Sequence, residues 1–453
     1  MKKFNQLALP VTLLALGIHT GLMAQTSKPV KAVNATLETR PHFDDRQDHF
    51  TDVDDPAIWI HPGDKSRSVV ITALKQGGLD VYDLEGQLLQ YIAAATPPPC
   101  EDKQTKCGNK GGRLNNVDLI YNVKLGNRHV DIAVASDRGL DKLAIYAINT
   151  DKQGKITLED VTSADAPLIF SHNQAEINQG LTAYGLATVQ TDKNMAFVSQ
   201  NGTTEIAQLE LFEDDQGKIN YRNMTRLNFP STFSLPDGTF WTPCSDDDGE
   251  LPHFEGMVAD PANDALYLAQ EDVGIWRTSL AKPNDLTQWS LFAKVKKYGV
   301  PYSRTWNAAE EEYSCKLDFS QDPGYGSDSL QADAEGLTLY DGGNGKGYLL
   351  ASSQGNNTVA VYQREGDNRF IDSFTVADGE VDAVNETDGM MVVNVNLGGK
   401  FSQGLLVMQD GQNMPAKGQE FGQRESTNFK YVAWGDIAKK LKLPVNTEDM
   451  TRK

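Results

Sequence analysis

Residues 335–363 read EGLTLYDGGNGKGYLLASSQGNNTVAVYQ, short apolar runs separated by turn-rich DGGNGKG and QGNN. Val, Ile, Leu and aromatic residues in runs this short, bounded by Gly, Asn and Asp, are strands and not helices. A polar or aromatic residue, here Glu335, heads the first run, and a second run ends on a polar residue some 15 to 20 positions later. The same order recurs from Asp54 (DDPAIW), Asn116 (NVDLIY), Tyr184 (YGLATV), Glu255 (EGMVAD) and Asp388 (DGMMVV), making six copies in all.

The copies begin roughly 50 to 80 residues apart, and each offers three or four strands. Such a unit cannot bury both faces of its sheet alone, so radial stacking of six sheets is the economical arrangement. The expected fold is all-β, a six-bladed β-propeller with a central channel, over residues 50–453. Two independent β-sandwiches are the alternative, but no low-complexity linker divides the chain and the repeat runs through its centre. Segments Ala32 to Glu38 and Asn428 to Val432 are expected to pair and close the ring, so residues 25–49 belong in part to the closure. Trp434 to Leu443 is the one helical candidate, with Ile437 and Leu441 on one face.

Lys2 and Lys3 precede an apolar run from Leu7 to Leu22, the pattern of an export signal over residues 1–24. The expected location is periplasmic or secreted, with no later stretch apolar enough to span a membrane. In an oxidising compartment the four cysteines form disulfides. Cys100 with Cys107 and Cys244 with Cys315 is the favoured pairing, although sequence alone leaves the connectivity open. Zinc is the rival reading, without Cys-x-x-Cys or His spacing to support it.

With 42 basic and 62 acidic residues, the chain carries a formal charge of −20. That surface repels nucleic acid and anionic lipid, and a phosphorylated ligand needs a local reversal of sign, which bound divalent cations supply. In a propeller, the residues heading the inner strands emerge at one mouth. Asp54, Asn116, Tyr184, Glu255, Glu335 and Asp388 hold that position, and Asp333 lies two residues before Glu335 on the same side. The residues following the second strands, Lys75, Arg138, Asn201, Glu271, Gln354 and Asp410, form a second ring. Carboxylates gathered without His or Cys favour a hard cation, above all calcium with its 6 to 8 oxygen ligands. No Cys, His, Ser or Asp nucleophile with an activating partner is evident, and there is no phosphate-cradling Gly-x-x-x-x-Gly-Lys loop. His61, His129 and His253 read as turn or surface residues.

From residue 50 to about 440 the chain resembles the bacterial β-propeller phytases. DDPAIW (54–59), LNNVD (114–118), EGMVAD (255–260), EGLTLYDGGNGKGYLLASSQGN (335–356), ETDGM (386–390) and QDGQN (409–413) carry the resemblance, in order. It implies release of phosphate from phytate, bound as its calcium complex, by a monomeric enzyme that depends on several calcium ions. It also implies catalytic calcium ligands at Asp54, Glu255, Glu271, Asp333, Glu335, Gln354 and Asp388. Catalytic residues are then Lys75, Arg138, Tyr184 and Glu255, with Lys75, Arg138, Tyr184 and Asn201 contacting phosphate. Structural calcium is implied around Asp55, Val117, Asp382, Asp410 and Asn413, with Gln412 where the family can have an acid. Gln76 and Asn201 stand where the family has basic residues of a second, non-cleaving phosphate site. The Cys-bearing loops and residues 298–331 have no counterpart in shorter family members. A calcium lactonase or phosphotriesterase shares the fold but centres on Asn ligands, and a propeller used only for binding is a further alternative.

Overall fold

The computed structural model describes residues 29–45, 51–100, 107–308, 312–416 and 419–449; the export signal expected over residues 1–24 lies outside them. Six sheets of four or more strands follow one another along the chain as the six blades of a propeller. Their innermost strands are Val53–Trp59, Leu114–Leu125, Ala183–Gln190, Phe254–Asp260, Leu337–Gly343 and Met390–Val393, for blades 1 to 6 in turn. All six line a narrow axial cavity of about 40 Å³.

The core is a ring of clusters between neighbouring blades, which explains why the strands read as continuous apolar runs. Side chains alternate between the two faces. In blade 1, Ala57, Trp59 and Ile71 pack with Leu119, Ala133 and Ala135 of blade 2. Their neighbours Ile58, Val70 and Tyr82 pack with Leu405, Val407 and Tyr431 of blade 6.

Ring closure differs in detail from the expectation. Leu37–Glu38 pairs antiparallel with Ser426–Ala433, Leu37 opposite Tyr431, and becomes the outer strand of blade 6. Lys31–Asn34 instead runs parallel to Phe370–Ala377 as a fifth strand of blade 5. Chain order could not separate these partners, because Lys31–Asn34 and Leu37–Glu38 are separated by only two residues yet add to different blades. The helix forms as expected, at Trp434–Leu441. Trp434, Ile437, Ala438 and Leu441 are buried at helical spacing, and Trp434 stacks on Tyr340 at 4.3 Å.

A buried carboxylate holds the N-terminal segment to blade 1. Asp80 accepts from Tyr82 Oη at 2.7 Å and Arg40 Nη2 at 3.1 Å, with His42 Nε2 at 3.1 Å. Burial works to raise this carboxyl, but the bonds from His42 and Tyr82 and the charge of Arg40 hold it below its ordinary range. Asp80→Ala is expected to destabilise the protein toward the lower end of about 3–5 kcal/mol, since Arg40 is partly solvated. Urea unfolding is the check, and a loss under about 0.5 kcal/mol, the range of ordinary surface changes, would contradict the role.

Both disulfides form as favoured, Cys100 with Cys107 and Cys244 with Cys315, at Cα separations of 5.7 and 6.0 Å. The second ties the hairpin Tyr302–Asn307 and Glu312–Leu317 to the loop after Phe240–Trp241, where Tyr313 N also donates to Asp246 O at 2.7 Å. Among the described residues, no helix is long and apolar enough to cross a membrane.

Candidate active site

Four of the six mouth residues are aimed by the same local device. In blades 1 to 4 the pairing of the inner strand slips by one residue, between Val53 and Pro56, Leu114 and Val117, Ala183 and Leu186, and Phe254 and Met257. Such a bulge re-aims a side chain out of the sheet. The buried amide after the aimed residue is satisfied locally: Asn116 N donates to Ser136 Oγ at 3.1 Å, Gly185 N to Ser199 Oγ and, in blade 5, Gly336 N to Ser352 Oγ, both at 2.8 Å. The residue after the aimed one abuts the next blade. A Cβ on Gly185 would lie 2.0 Å from the Glu255 carbonyl oxygen, and one on Gly256 would lie 1.7 Å from that of Glu335. The Tyr-Gly, Glu-Gly and Asp-Gly pairs therefore let the inner strands close around the axis.

This register corrects two sequence expectations. In blade 2 the aimed residue is Asn115, and Asn116 holds the position of the glycines. Asn115 Nδ2 donates to Glu255 Oε1 at 2.8 Å, while its Oδ1 accepts from Arg138 Nη1 at 2.9 Å. In the second ring, the backbone amides of Lys75, Arg138, Asn201, Glu271, Gln354 and Gly411 all donate back to the residues just before the inner strands. Gly411, not Asp410, completes the ring; side chains alternate along a strand, so Asp410 faces the other way.

The remaining residues converge. Potential ligand atoms of Glu255, Glu271 and Glu335 all lie within 4.8 Å of one another. Gln354 Nε2 donates to Glu335 Oε2 at 2.9 Å and to Asp388 Oδ1 at 2.8 Å, and Lys75 Nζ donates to Asp388 Oδ2 at 2.5 Å. Tyr184 Oη donates to Glu255 Oε2 at 3.2 Å, and the Arg138 guanidinium lies 5.2 Å from the centre of the Tyr184 ring. Both Asp54 carboxylate oxygens are buried without a hydrogen-bond donor. Val117 N donates to Asp55 Oδ2 at 3.3 Å on the channel side. Asn201 lies outside this chain of contacts, its Nδ2 donating to the Gly180 carbonyl oxygen at 3.1 Å. Gln76 is exposed.

Burial first, and repulsion from neighbouring carboxylates besides, raise four of these acids, Asp54, Glu255, Asp333 and Glu335. Glu255 is pushed up to about 7, with Glu271 and Asp388 adding to burial and Lys75 opposing. Asp333 reaches about 8, through burial and then Asp272 and Glu271. Asp54 and Glu335 are raised well above their ordinary range for the same reasons. Burial opposes the Lys75 charge, but Asp54, Asp388 and Glu255 outweigh it and hold the ammonium above its usual range. Burial first, and then the charges of Glu255, Glu271, Glu335 and Asp54, push the Tyr184 phenol up, so it stays a neutral donor.

Sequence reading missed two members of the mouth. His253, expected at the surface, has Nε2 3.0 Å from Glu271 Oε1 and Nδ1 3.5 Å from Glu250 Oε1, and stands edge-on to Tyr184. Asp52 lines an adjoining cavity of about 230 Å³ with Gln354, Asp388 and Gln409. Both lie two residues before an aimed carboxylate, the spacing that singled out Asp333 before Glu335. Of the other two histidines, His61 forms a turn, its Nδ1 accepting from Gly63 N and Asp64 N.

Fold and mouth together define a six-bladed β-propeller whose acidic cluster is edged by Lys75, Arg138 and Tyr184. A family model described as Phytase matches residues 5–234 and 310–452. A 3-phytase of Bacillus subtilis (strain 168) is 33% identical over 393 residues, 86% of this chain and 81% of its own. The chain belongs to the phytase family. Among solved structures, the PQQ-bound aldose sugar dehydrogenase of Streptomyces coelicolor aligns over 89% of this chain and 98% of its own, at 12% identity and TM-score 0.39. Chaetomium thermophilum Sqt1, bound to the N-terminus of ribosomal protein L10, covers 79% and 83% at 11% identity and TM-score 0.39. Likeness that weak has no bearing on function.

Proposed function

We propose that this enzyme hydrolyses phosphate monoesters of phytate with calcium as its cofactor, taking the substrate as a calcium complex. One observation carries the reading: buried carboxylates converge with too few protein cations to neutralise them, and the Asp54 oxygens have no donor at all. An all-oxygen set of this kind fits a hard divalent cation. Asp54, Glu255, Glu271, Asp333, Glu335, Gln354 and Asp388 would hold it, Gln354 after a half-turn of its amide that presents oxygen. Bound there, calcium would lower the pKa of a coordinated water and neutralise phosphate oxygens.

The protein's own groups then orient the ester. Lys75, fixed on Asp388, supplies a point charge for a phosphate oxygen. Arg138, braced by Asn115 and the Tyr184 face, offers a planar fork to two such oxygens. Tyr184 supplies a neutral O–H donor. Phosphate release from phytate is expected to stop on chelation and return with added calcium; turnover that survives full chelation removes the proposal. Export, with residues 1–24 cleaved, is part of the same reading, supported by the two disulfides.

A further inference from the structure

Lys430 sits in the third strand of blade 6, Ser426–Ala433, between Phe429 and Tyr431, and its side chain is fully buried. Its ammonium lies among the groups for which the family resemblance implies a structural calcium ion. Nζ donates to Asn413 Oδ1 at 2.8 Å, to Glu38 Oε2 at 2.5 Å and to Asp382 Oδ1, and lies 3.2 Å from Asp410 Oδ2. Three carboxylates and an amide oxygen thus surround one nitrogen, and a metal ion at their centre would coincide with it.

We infer that this cluster is a cation site whose cation is the chain's own Lys430 ammonium, so that the ring is closed without a divalent ion. The groups come from separate parts of the chain. Glu38 belongs to the strand added from the N-terminus, Asp382 to the segment between blades 5 and 6, Asp410 ends the second strand of blade 6 and Asn413 follows it. A tethered ammonium with three N–H donors links them as a metal would, and dilution or chelation cannot remove it. Glu38 also accepts from Asn428 Nδ2 at 2.9 Å, so the site and the outer strand pairing reinforce one another.

Calcium counting by equilibrium dialysis, with thermal unfolding in calcium and in chelator, tests this apart from activity. Lys430→Ala should bind an additional calcium ion per chain relative to wild type. Its lowered melting temperature in chelator should recover in calcium by more than the wild-type gain. Lys430→Met, which fills the space without charge, should show neither. Asp382→Asn in the wild-type background needs no change at Lys430 and should leave the calcium count unaltered. Loss of an ion in Asp382→Asn, or equal counts in wild type and Lys430→Ala, overturns the inference.

Discussion

Glu335→Gln is expected to retain the fold and lose phytate hydrolysis by at least about 10²–10³-fold, the scale of removing one preorganised electrostatic group from an active site. The substitution preserves shape and the position of the Gln354 contact but removes a charge from the centre of the cluster. Glu335 is raised by burial first and then by Asp388, Glu255, Glu271 and Asp333, all of which repel its ionised form. Removing that charge should therefore leave the chelated protein at least as stable as wild type, while weakening the calcium-loaded one. A destabilised variant would behave oppositely in chelator, so circular dichroism melts beside the assay separate the two explanations. Lys75→Ala should lose activity comparably. Turnover near wild type in either variant would sink the assignment of the mouth.

A second large effect concerns pH. Glu255 and Asp333 rise from ordinary carboxyl values to about 7 and about 8. The folded protein then holds protons that the unfolded chain has released, and by linkage stability falls as pH climbs from about 4 to 8. His253 adds to the trend: burial opposes its charge, but Glu271 and Glu250 raise it to about 10, so its contribution is present below the ordinary histidine value and lost as pH rises toward 10. Calcium bound as proposed should reverse the carboxylate part by taking the place of the protons, and its stabilisation should grow with pH, by on the order of several kcal/mol between pH 5 and 8.5. Melting curves at both pH values, in chelator and in calcium, measure the difference. A calcium effect of equal size at both would mean that these acids are ionised at pH 5.

The aimed residues of blades 1, 3, 4, 5 and 6 were legible because each stands at the head of an apolar run. Blade 2 was misread by one position because LNNVD offers two asparagines, and only the bulge between Leu114 and Val117 decides that Asn115 points into the mouth. Asp410 was misplaced by the same single step. His253 and Asp52 were within reach, since the spacing applied to Asp333 points to both. Lys430 carried a signal too, as a charged residue between Phe429 and Tyr431 in an apolar strand must have buried partners.

Local order along the chain determined the six-fold repeat, the all-β class, the short final helix and the inner-strand residues facing the channel, because strand patterning and turns depend on neighbours within a few positions. The partners of the two N-terminal strands, the one-residue bulges that aim the mouth, and the occupation of the Asp382 cluster by Lys430 were settled only in three dimensions. The first and the last depend on groups hundreds of residues apart in the chain, such as Glu38 and Lys430, which meet only once the ring has closed, and the bulges depend on the register between neighbouring strands.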